Sequence, residues 1–248
     1  MKEGADIQTE AEPIIAYLQQ RGAHRWGTMW RAQLDALEEE YRSPGVSIET
    51  GCGASTILLS RLSRKHTAFC YDDRGRENSS VDFVRQAPMF EPARVEFGFG
   101  PTQLTLRTFE FREKLDFALL DGPHAFPFPE LEYYFIYPHL KSGAILAVDD
   151  VHIPTLFNLY RFLREDDMFA FVRKVENIAI FRRTESPTFD PLGEAWEIQG
   201  YNRRRFPLLS MDERVARYVP KWINNLAPPA WRAAVKAMLL RSDSARGG

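Results

Sequence analysis

The sequence predicts an α/β fold: a doubly wound, mostly parallel sheet of seven strands that ends in an antiparallel hairpin, with helical additions at both ends. Three observations predict it. Strand-like apolar segments alternate with segments of helical spacing through the middle of the 248-residue chain. The segment 144–148 is wholly apolar, as strands buried on both faces are. The last two strand segments are too close for a crossover helix, so we expect them to pair as a hairpin.

Each element is predicted from the point where its apolar pattern begins and stops. The first strand covers 46–49, and the helix after it covers 55–64 with an apolar face of isoleucine and leucine. Asn78 or Ser79 caps a later helix, which Pro88 ends. The other predicted strands are 67–71, 95–99, 115–120, 144–148, 169–173 and 177–182, and the other helices of this region are 130–140 and 154–164.

The chain divides by composition into three regions. Residues 1–44 form an N-terminal helical cap with two helical patterns, and residues 45–183 form the core. Residues 184–248 are a C-terminal extension, irregular at first and then helical. Its last helix is basic and amphipathic, so both membrane-surface contact and packing on the core or on a second subunit stay open, as does a homo-oligomer.

Composition excludes several classes of protein. A formal net charge of −2 gives no reason to expect nucleic acid as a partner. Only Cys52 and Cys70 are present, so a disulfide framework is not expected and a reducing compartment is. The N-terminus has no apolar signal-peptide core, and no run approaches a transmembrane segment in length. We therefore expect a cytoplasmic protein.

The most informative segment is Glu-Thr-Gly-Cys-Gly at the end of the first predicted strand. Gly51 and Gly53 let the backbone turn sharply and approach a ligand closely, as in loops that bind nucleotide cofactors. Glu49 would repel the pyrophosphate of a dinucleotide but suits S-adenosyl-L-methionine, which carries a cationic sulfonium and ammonium. An NAD(P)-dependent oxidoreductase would need glycine where Thr56 stands, yet this alternative stays open, as does a non-catalytic cofactor-binding protein on the same fold.

Acidic residues end three other predicted strands. Asp72 or Asp73 follows the second strand, where a carboxylate accepts hydrogen bonds from ribose hydroxyls, and Asp72 is preferred narrowly. Asp121 ends the fourth strand, and Asp149 and Asp150 end the fifth. Because neighbouring parallel strands end at the same edge, we expect these three carboxylates to converge, and a divalent ion is the simplest compensation for their repulsion.

With these motifs, residues from about 45 to 182 resemble class I S-adenosylmethionine-dependent methyltransferases, in particular the bacterial group with a Glu-x-Gly-x-Gly loop and Asp-Gly…Asp-Asp strand ends. The resemblance implies a Rossmann-like sheet. It also implies that Glu49 holds the methionine ammonium directly or through water. The implied cofactor-binding set is Glu49, Gly51, Gly53, Ser55, Asp72, Asp73, Gly100 and Asp121.

The three converging aspartates are similar to the metal ligands of O-methyltransferases that act on catechols and sugars. That resemblance implies Mg²⁺ bound by Asp121, Asp149 and Asp150. It also implies a base at His124, three residues after Asp121, with His152 as a second candidate. The expected reaction is O-methylation of a hydroxyl on a small-molecule or sugar acceptor, whose identity the sequence does not encode.

Overall fold

Seven strands form one sheet in the computed structural model, which describes residues 9–21, 29–42, 44–188, 196 and 199–205. The strands are β1 (Val46–Thr50), β2 (Lys65–Cys70), β3 (Val95–Phe99), β4 (Leu115–Leu120), β5 (Leu140–Val148), β6 (Phe169–Val175) and β7 (Ile178–Arg183). Their spatial order within that described part is β3-β2-β1-β4-β5-β7-β6. Strands β1 to β5 run parallel, β7 pairs antiparallel with β5, and β6 pairs antiparallel with β7. The predicted fold class is confirmed.

The described helices lie close to the predicted ones, with three differences. Helix α8 (Gly200–Arg205) lies in a stretch that was predicted to be irregular. Helix α5 (Thr102–Thr108) was not predicted, because threonines break its apolar spacing and only Leu106 supplies a buried large apolar side chain. The segment predicted as a helix over 130–140 ends earlier, because a 3₁₀ turn at Tyr137–His139 follows and Leu140 already pairs with Leu115 of β4. The helices are α1 (Ala11–Arg21), α2 (Arg31–Glu40), α3 (Ala54–Leu62), α4 (Ser80–Arg85), α5 (Thr102–Thr108), α6 (Phe128–Ile136), α7 (Pro154–Glu165) and α8 (Gly200–Arg205).

Helices cover both faces of the sheet, and alternate residues of each central strand point to opposite sides. In β4, Phe117 and Leu119 pack in the core on the side of α1 to α4. Ala118 and Leu120 pack in the core on the side of α5 to α7. All four residues are fully or almost fully buried, which is why the strand reads as a continuous apolar run.

The N-terminal helices share the first of these cores with the sheet. Ile14 of α1 and Leu34 of α2 are fully buried in the same cluster as Ile57 of α3. The backbone amides of Glu10 and Ala11 donate to the carboxylate of Glu38 on α2, which holds α1 against α2. The helical cap therefore packs as part of the core rather than as an appendage.

Two compact units divide the chain, Met1–Asp190 and Pro191–Gly248. In the second unit the described part contains α8. The predicted C-terminal helix over 212–240 lies outside the described residues. Within the described residues, no helix is both long enough and apolar enough to cross a membrane.

Candidate functional site

A cavity of about 850 Å³ opens at the carboxyl edge of the parallel strands. Loops after β1, β2, β3, β4 and β5 line it, together with the first turn of α2. In open α/β sheets this edge is where ligands bind, and the volume is that of a small-molecule site. Of the predicted site residues, the cavity lining contains Gly51, Gly53, Ser55, Asp73, Gly100, Asp121, His124, Asp149 and Asp150.

The glycine loop after β1 brings bare backbone to the cavity wall. Gly51 has φ of +109°, and its N–H donates to the carbonyl of Phe69 on β2 at 2.8 Å. A Cβ added to Gly51 would lie 2.6 Å from the backbone oxygen of Asp121. Gly53 follows, and its N–H donates to Thr56 Oγ1 at 2.9 Å where α3 begins. Glycine is therefore required at position 51 both by conformation and by space.

Glu49 does not itself line the cavity, and its contact with the cofactor, expected directly or through water, remains a prediction. Its side chain is fully buried beneath the loop. Ser55 Oγ donates to Glu49 Oε2 at 2.7 Å, and His66 Nε2 lies 3.0 Å from Glu49 Oε1. The other ring nitrogen of His66 lies 2.7 Å from Ser47 Oγ. The carboxylate therefore fixes the start of α3, and Ser55 is the side chain through which it reaches the cavity.

Sequence reasoning missed His66, although its position gives a signal in retrospect. It lies on β2 directly beside β1, two register positions before the pair Glu49 and Ala68. A histidine inside an otherwise apolar buried strand needs polar partners on its neighbours. The sequence shows the histidine but not which neighbouring strand supplies the carboxylate.

The two aspartates after β2 have different roles, and the narrow preference for Asp72 is not supported. Asp72 points away from the cavity and pairs with the guanidinium of Arg74 at 2.7 and 2.6 Å, which lowers the pKa of Asp72 to about 2. Asp73 lines the cavity and is almost fully buried. It accepts from Ser79 Oγ and from the backbone amides of Ser80 and Val81. Ser79 also caps α4 as predicted, by accepting from the amide of Asp82.

Asp121, His124 and Asp150 form a group of ligand-type side chains in the cavity wall. One side-chain atom from each residue lies within 4.8 Å of the others. His124 Nε2 is 3.9 Å from Asp121 Oδ1 and 3.5 Å from Asp150 Oδ2. Asp150 takes up a left-handed conformation with φ of +51°, an unusual backbone state of the kind that clusters at functional sites.

Asp149 does not join this group, although it was predicted as a ligand beside Asp121 and Asp150. Its Oδ1 accepts from Gln33 Nε2 at 2.9 Å and from the backbone amide of Asp150 at 2.8 Å. His152 Nδ1 approaches Asp150 Oδ1 at 3.6 Å, but His152 is more than half exposed and does not line the cavity. Of the two histidines predicted as bases, His124 alone lines the cavity.

The electrostatics of the group favour a cation. Burial raises the pKa of Asp121 to about 6, although the nearby His124 opposes the shift. Burial, and then the nearby charge of Asp121, raise the pKa of Asp149 to about 7. Asp121 in turn raises the pKa of His124. Poorly solvated carboxyls so close together bind a positive charge more readily than they do a second anion.

The N-terminal end of α2, together with the two residues before it, supplies part of the cavity wall. Met29, Trp30 and Gln33 line it, and Trp30 remains 66% exposed. Phe128 of α6 also lines the cavity. The helical pattern around Trp30 and Leu34 was visible in the sequence, but the direction in which its first turn faces depends on tertiary packing.

Glu132 is a buried carboxyl just behind this site. It accepts from Thr50 Oγ1 at 2.7 Å, and its other oxygen, Oε1, has no hydrogen-bond partner among the described residues. A Cβ on Gly122 would lie 2.0 Å from that oxygen, so the loop after β4 packs directly on the carboxyl. Burial raises the pKa of Glu132 to about 7, above its ordinary value of 4.5.

We expect Glu132→Gln to stabilise the protein at pH 8. The folded state holds a proton on Glu132 that the unfolded chain releases, so the free energy of unfolding falls as pH rises from about 4.5 to about 7. A neutral amide keeps an acceptor for Thr50 and avoids the buried charge. The expected gain at pH 8 is on the order of 2 kcal/mol and shrinks toward pH 5.

Urea unfolding of the wild type and the variant at pH 5 and pH 8 measures this difference. Glu77→Gln is the matched control, because it removes one carboxylate from an exposed position. An equal effect of Glu132→Gln at the two pH values would contradict the assignment of a buried carboxyl with a raised pKa.

Comparisons with known proteins agree with this geometry. A family model described as a methyltransferase domain matches residues 48–151. That segment runs from β1 to the loop after β5 and includes the glycine loop, Asp121, His124 and Asp150. No curated protein matches the chain.

Solved structures with the same fold include several methyltransferases. The O-methyltransferase TomG from Streptomyces achromogenes, involved in tomaymycin synthesis and solved in complex with S-adenosylmethionine, is 13% identical with a TM-score of 0.52 and covers 73% of this chain and 92% of that chain. The O-methyltransferase from Bacillus cereus in complex with S-adenosylhomocysteine is 13% identical with a TM-score of 0.53, covering 72% and 94%. The S-adenosylhomocysteine-bound methyltransferase from Podospora anserina is 16% identical with a TM-score of 0.54, covering 72% and 89%. At these identities the likeness concerns the Rossmann-like fold.

Proposed function

We propose that the protein is an S-adenosyl-L-methionine-dependent methyltransferase that acts on a hydroxyl of a small molecule or sugar, as the match of residues 48–151 to a methyltransferase-domain model supports. The observation that carries the proposal is the cavity. Its donor side is the glycine loop, and its acceptor side is the partly exposed cluster of Asp121, His124 and Asp150. The solved O-methyltransferases with this fold support the choice of oxygen as the methyl acceptor.

The residues that line the donor side fit the methyl donor. Gly51 and Gly53 let the methionine part approach the backbone, and Ser55 lies beside them with its hydroxyl fixed by Glu49. In this proposal Asp73 contacts the ribose. A carboxylate offers about four acceptor sites, and three hydrogen bonds already occupy the oxygens of Asp73, so about one site is left for a ribose hydroxyl. Gly100, after β3, lies on the wall proposed for the adenine.

The acceptor side of the cavity contains the residues that take part in methyl transfer in this proposal. When bound, S-adenosylmethionine provides a methyl group that the acceptor oxygen takes in line from sulfur. His124 Nε2 faces the cavity next to Asp121 and Asp150, and it receives the proton of the acceptor hydroxyl in this proposal. Much of the rate would come from holding the two substrates in contact within one cavity.

A divalent cation such as Mg²⁺ fits the same end of the cavity. Asp121 and Asp150 offer carboxylate oxygens close together, and oxygen is the ligand that Mg²⁺ prefers. A bound cation would make an acceptor hydroxyl more acidic. Asp149 is not included in this ligand set, because Gln33 and the amide of Asp150 occupy its Oδ1.

Cytoplasmic location belongs to the same proposal. Cys52 and Cys70 are both free thiols on the cavity wall. The pKa of the Cys52 thiol is raised well above its ordinary value, by hydrogen bonding to Cys70 and by burial. Neighbouring thiols of this kind are expected in a reducing compartment.

Calorimetry with S-adenosylhomocysteine and with NAD⁺ tests the proposal. We expect the first to bind and the second not to bind. We also expect Asp73→Asn to weaken S-adenosylhomocysteine binding roughly tenfold, since a charge-assisted hydrogen bond to the ribose is lost. Asp72→Asn is the matched control, one residue away and outside the cavity, and should bind like the wild type. Binding of NAD⁺ without binding of S-adenosylhomocysteine would overturn the proposal.

The acceptor class is tested separately. The protein is incubated with S-adenosylmethionine and pools of phenols, sugars and small metabolites, and mass spectrometry detects a product that is one CH₂ heavier than its acceptor. Addition of Mg²⁺ and then of EDTA to a positive reaction tests the cation. Turnover that EDTA does not change would remove the cation from the proposal.

A further inference from the structure

Gln33 is the side chain that joins the N-terminal helix α2 to the end of β5. Its side chain is 3% exposed and lies at the cavity wall. Gln33 Oε1 accepts from the backbone amide of Trp30 at 2.8 Å. Gln33 Nε2 donates to Asp149 Oδ1 at 2.9 Å, across 116 residues of sequence. One buried amide therefore contacts both the start of a helix and a strand-end carboxyl.

The orientation of this amide is determined by its two partners. The amide N–H of Trp30 needs an acceptor, and Asp149 Oδ1 already accepts from the amide of Asp150. A flipped Gln33 amide would direct NH₂ at an N–H donor and oxygen at a carboxyl oxygen, so both contacts would become repulsive. The observed orientation satisfies both ends at once, which makes glutamine specific at this position.

The remainder of α2 is held by contacts that do not involve Gln33. Arg173 on β6 donates to the carbonyl of Ala36 and to Glu39, and Arg182 on β7 pairs with Glu40. Leu34 and Leu37 are fully buried in the core. Removing the Gln33 amide should therefore loosen the first turn of α2, which buried Leu34 and the pair of Arg31 with Glu12 still hold in part, and leave the rest of the helix in position.

Two consequences follow for the cavity. Met29 and Trp30 directly precede this first turn and line the cavity, as Asp149 and Asp150 do. The same amide also keeps the Asp149 carboxyl turned toward α2, outside the group formed by Asp121, His124 and Asp150.

We propose that Gln33 is a positioning residue for the acceptor side of the site: its amide fixes the first turn of α2, and with it Met29 and Trp30, through Asp149. Gln33 acts on the acceptor by way of these neighbours. The donor side, at Gly51, Gly53 and Asp73, is built by other strands. The inference rests on the proposed function for its kinetic test and not for its structural test.

The structural test uses hydrogen exchange followed by mass spectrometry on the full-length protein. Gln33→Met keeps side-chain length and helix propensity but removes both polar contacts. We expect faster exchange in peptides that cover 29–34 and unchanged exchange over 35–41. Glu38→Gln is the matched control on the same helix, because it affects the contact with α1 and not the cavity. Unchanged exchange over 29–34 in Gln33→Met, or equally faster exchange along the whole helix, would overturn the proposal.

The kinetic test separates positioning from general destabilisation. We expect Gln33→Met to raise the KM for the acceptor roughly tenfold with kcat and S-adenosylhomocysteine affinity little changed. Gln33→Glu should have a similar effect, because it places a second carboxyl against Asp149. A fall in kcat with an unchanged KM for the acceptor, or wild-type kinetics in Gln33→Met, would overturn the proposal.

If the wild type binds no S-adenosylhomocysteine and transfers no methyl group, the proposed function fails. The exchange experiment still decides whether Gln33 fixes the first turn of α2. The two failures are therefore distinguishable.

Discussion

Gly51→Ala is expected to abolish measurable S-adenosylhomocysteine binding while the sheet remains folded. At φ of +109° an alanine is strained, at a cost on the order of 1–3 kcal/mol. Its Cβ would also lie 2.6 Å from the backbone oxygen of Asp121, which cannot move without displacing the end of β4. Both effects push the loop into the donor side of the cavity. We expect an affinity loss of at least roughly 100-fold by calorimetry.

Gly143→Ala separates strain from obstruction. Gly143 also has positive φ, at +80°, but a Cβ there meets no atom within 4 Å. It lies near the start of β5, away from the strand ends that line the cavity. We expect this variant to lose some thermal stability and to bind S-adenosylhomocysteine like the wild type. Equal binding by Gly51→Ala and the wild type would mean that the donor does not use the glycine loop.

The sheet could be predicted from the sequence because its signal is local. The run at 144–148 is wholly apolar because both faces of this parallel strand are buried. Acidic residues then mark the points where the strands end. The interval between the last two strands is too short for a crossover helix, so a hairpin was predicted, and β6 and β7 do pair antiparallel. In α5, by contrast, most of the helix faces away from the core, so the local signal was too weak.

The candidate site was predicted by position but not in detail. Acidic residues at strand ends were expected to meet, and Asp121 and Asp150 do. Which carboxyl faces the cavity depends on partners that are distant in sequence. Gln33 donates a hydrogen bond to Asp149, and Arg74 pairs with Asp72, which does not line the cavity. Ser55 and His66 contact Glu49 beneath the loop. A strand-end residue can be located by its pattern, whereas its rotamer is fixed by tertiary contacts that the pattern does not contain.

His124→Gln is expected to lower kcat for methyl transfer by roughly 100-fold or more, because a positioned base contributes about 10²- to 10⁴-fold in rate. Glutamine keeps a polar side chain in the cavity but cannot hold the proton that the acceptor hydroxyl loses. The ion-pair contacts of His124 are with Asp121 and Asp150, so the affinity for S-adenosylhomocysteine should change little. Initial rates at saturating donor and acceptor, together with calorimetry, measure the two quantities separately.

His152→Gln is the matched control, since His152 contacts the same aspartate, Asp150, from outside the cavity. If His124 receives the proton, His152→Gln should retain the kcat of the wild type. A large loss in His152→Gln with activity kept in His124→Gln would reverse the assignment, because the proton would then leave through the exposed side of Asp150. Equal and small losses in both variants would place the base on another cavity residue. Only a loss confined to His124→Gln agrees with a base that faces the cavity between Asp121 and Asp150.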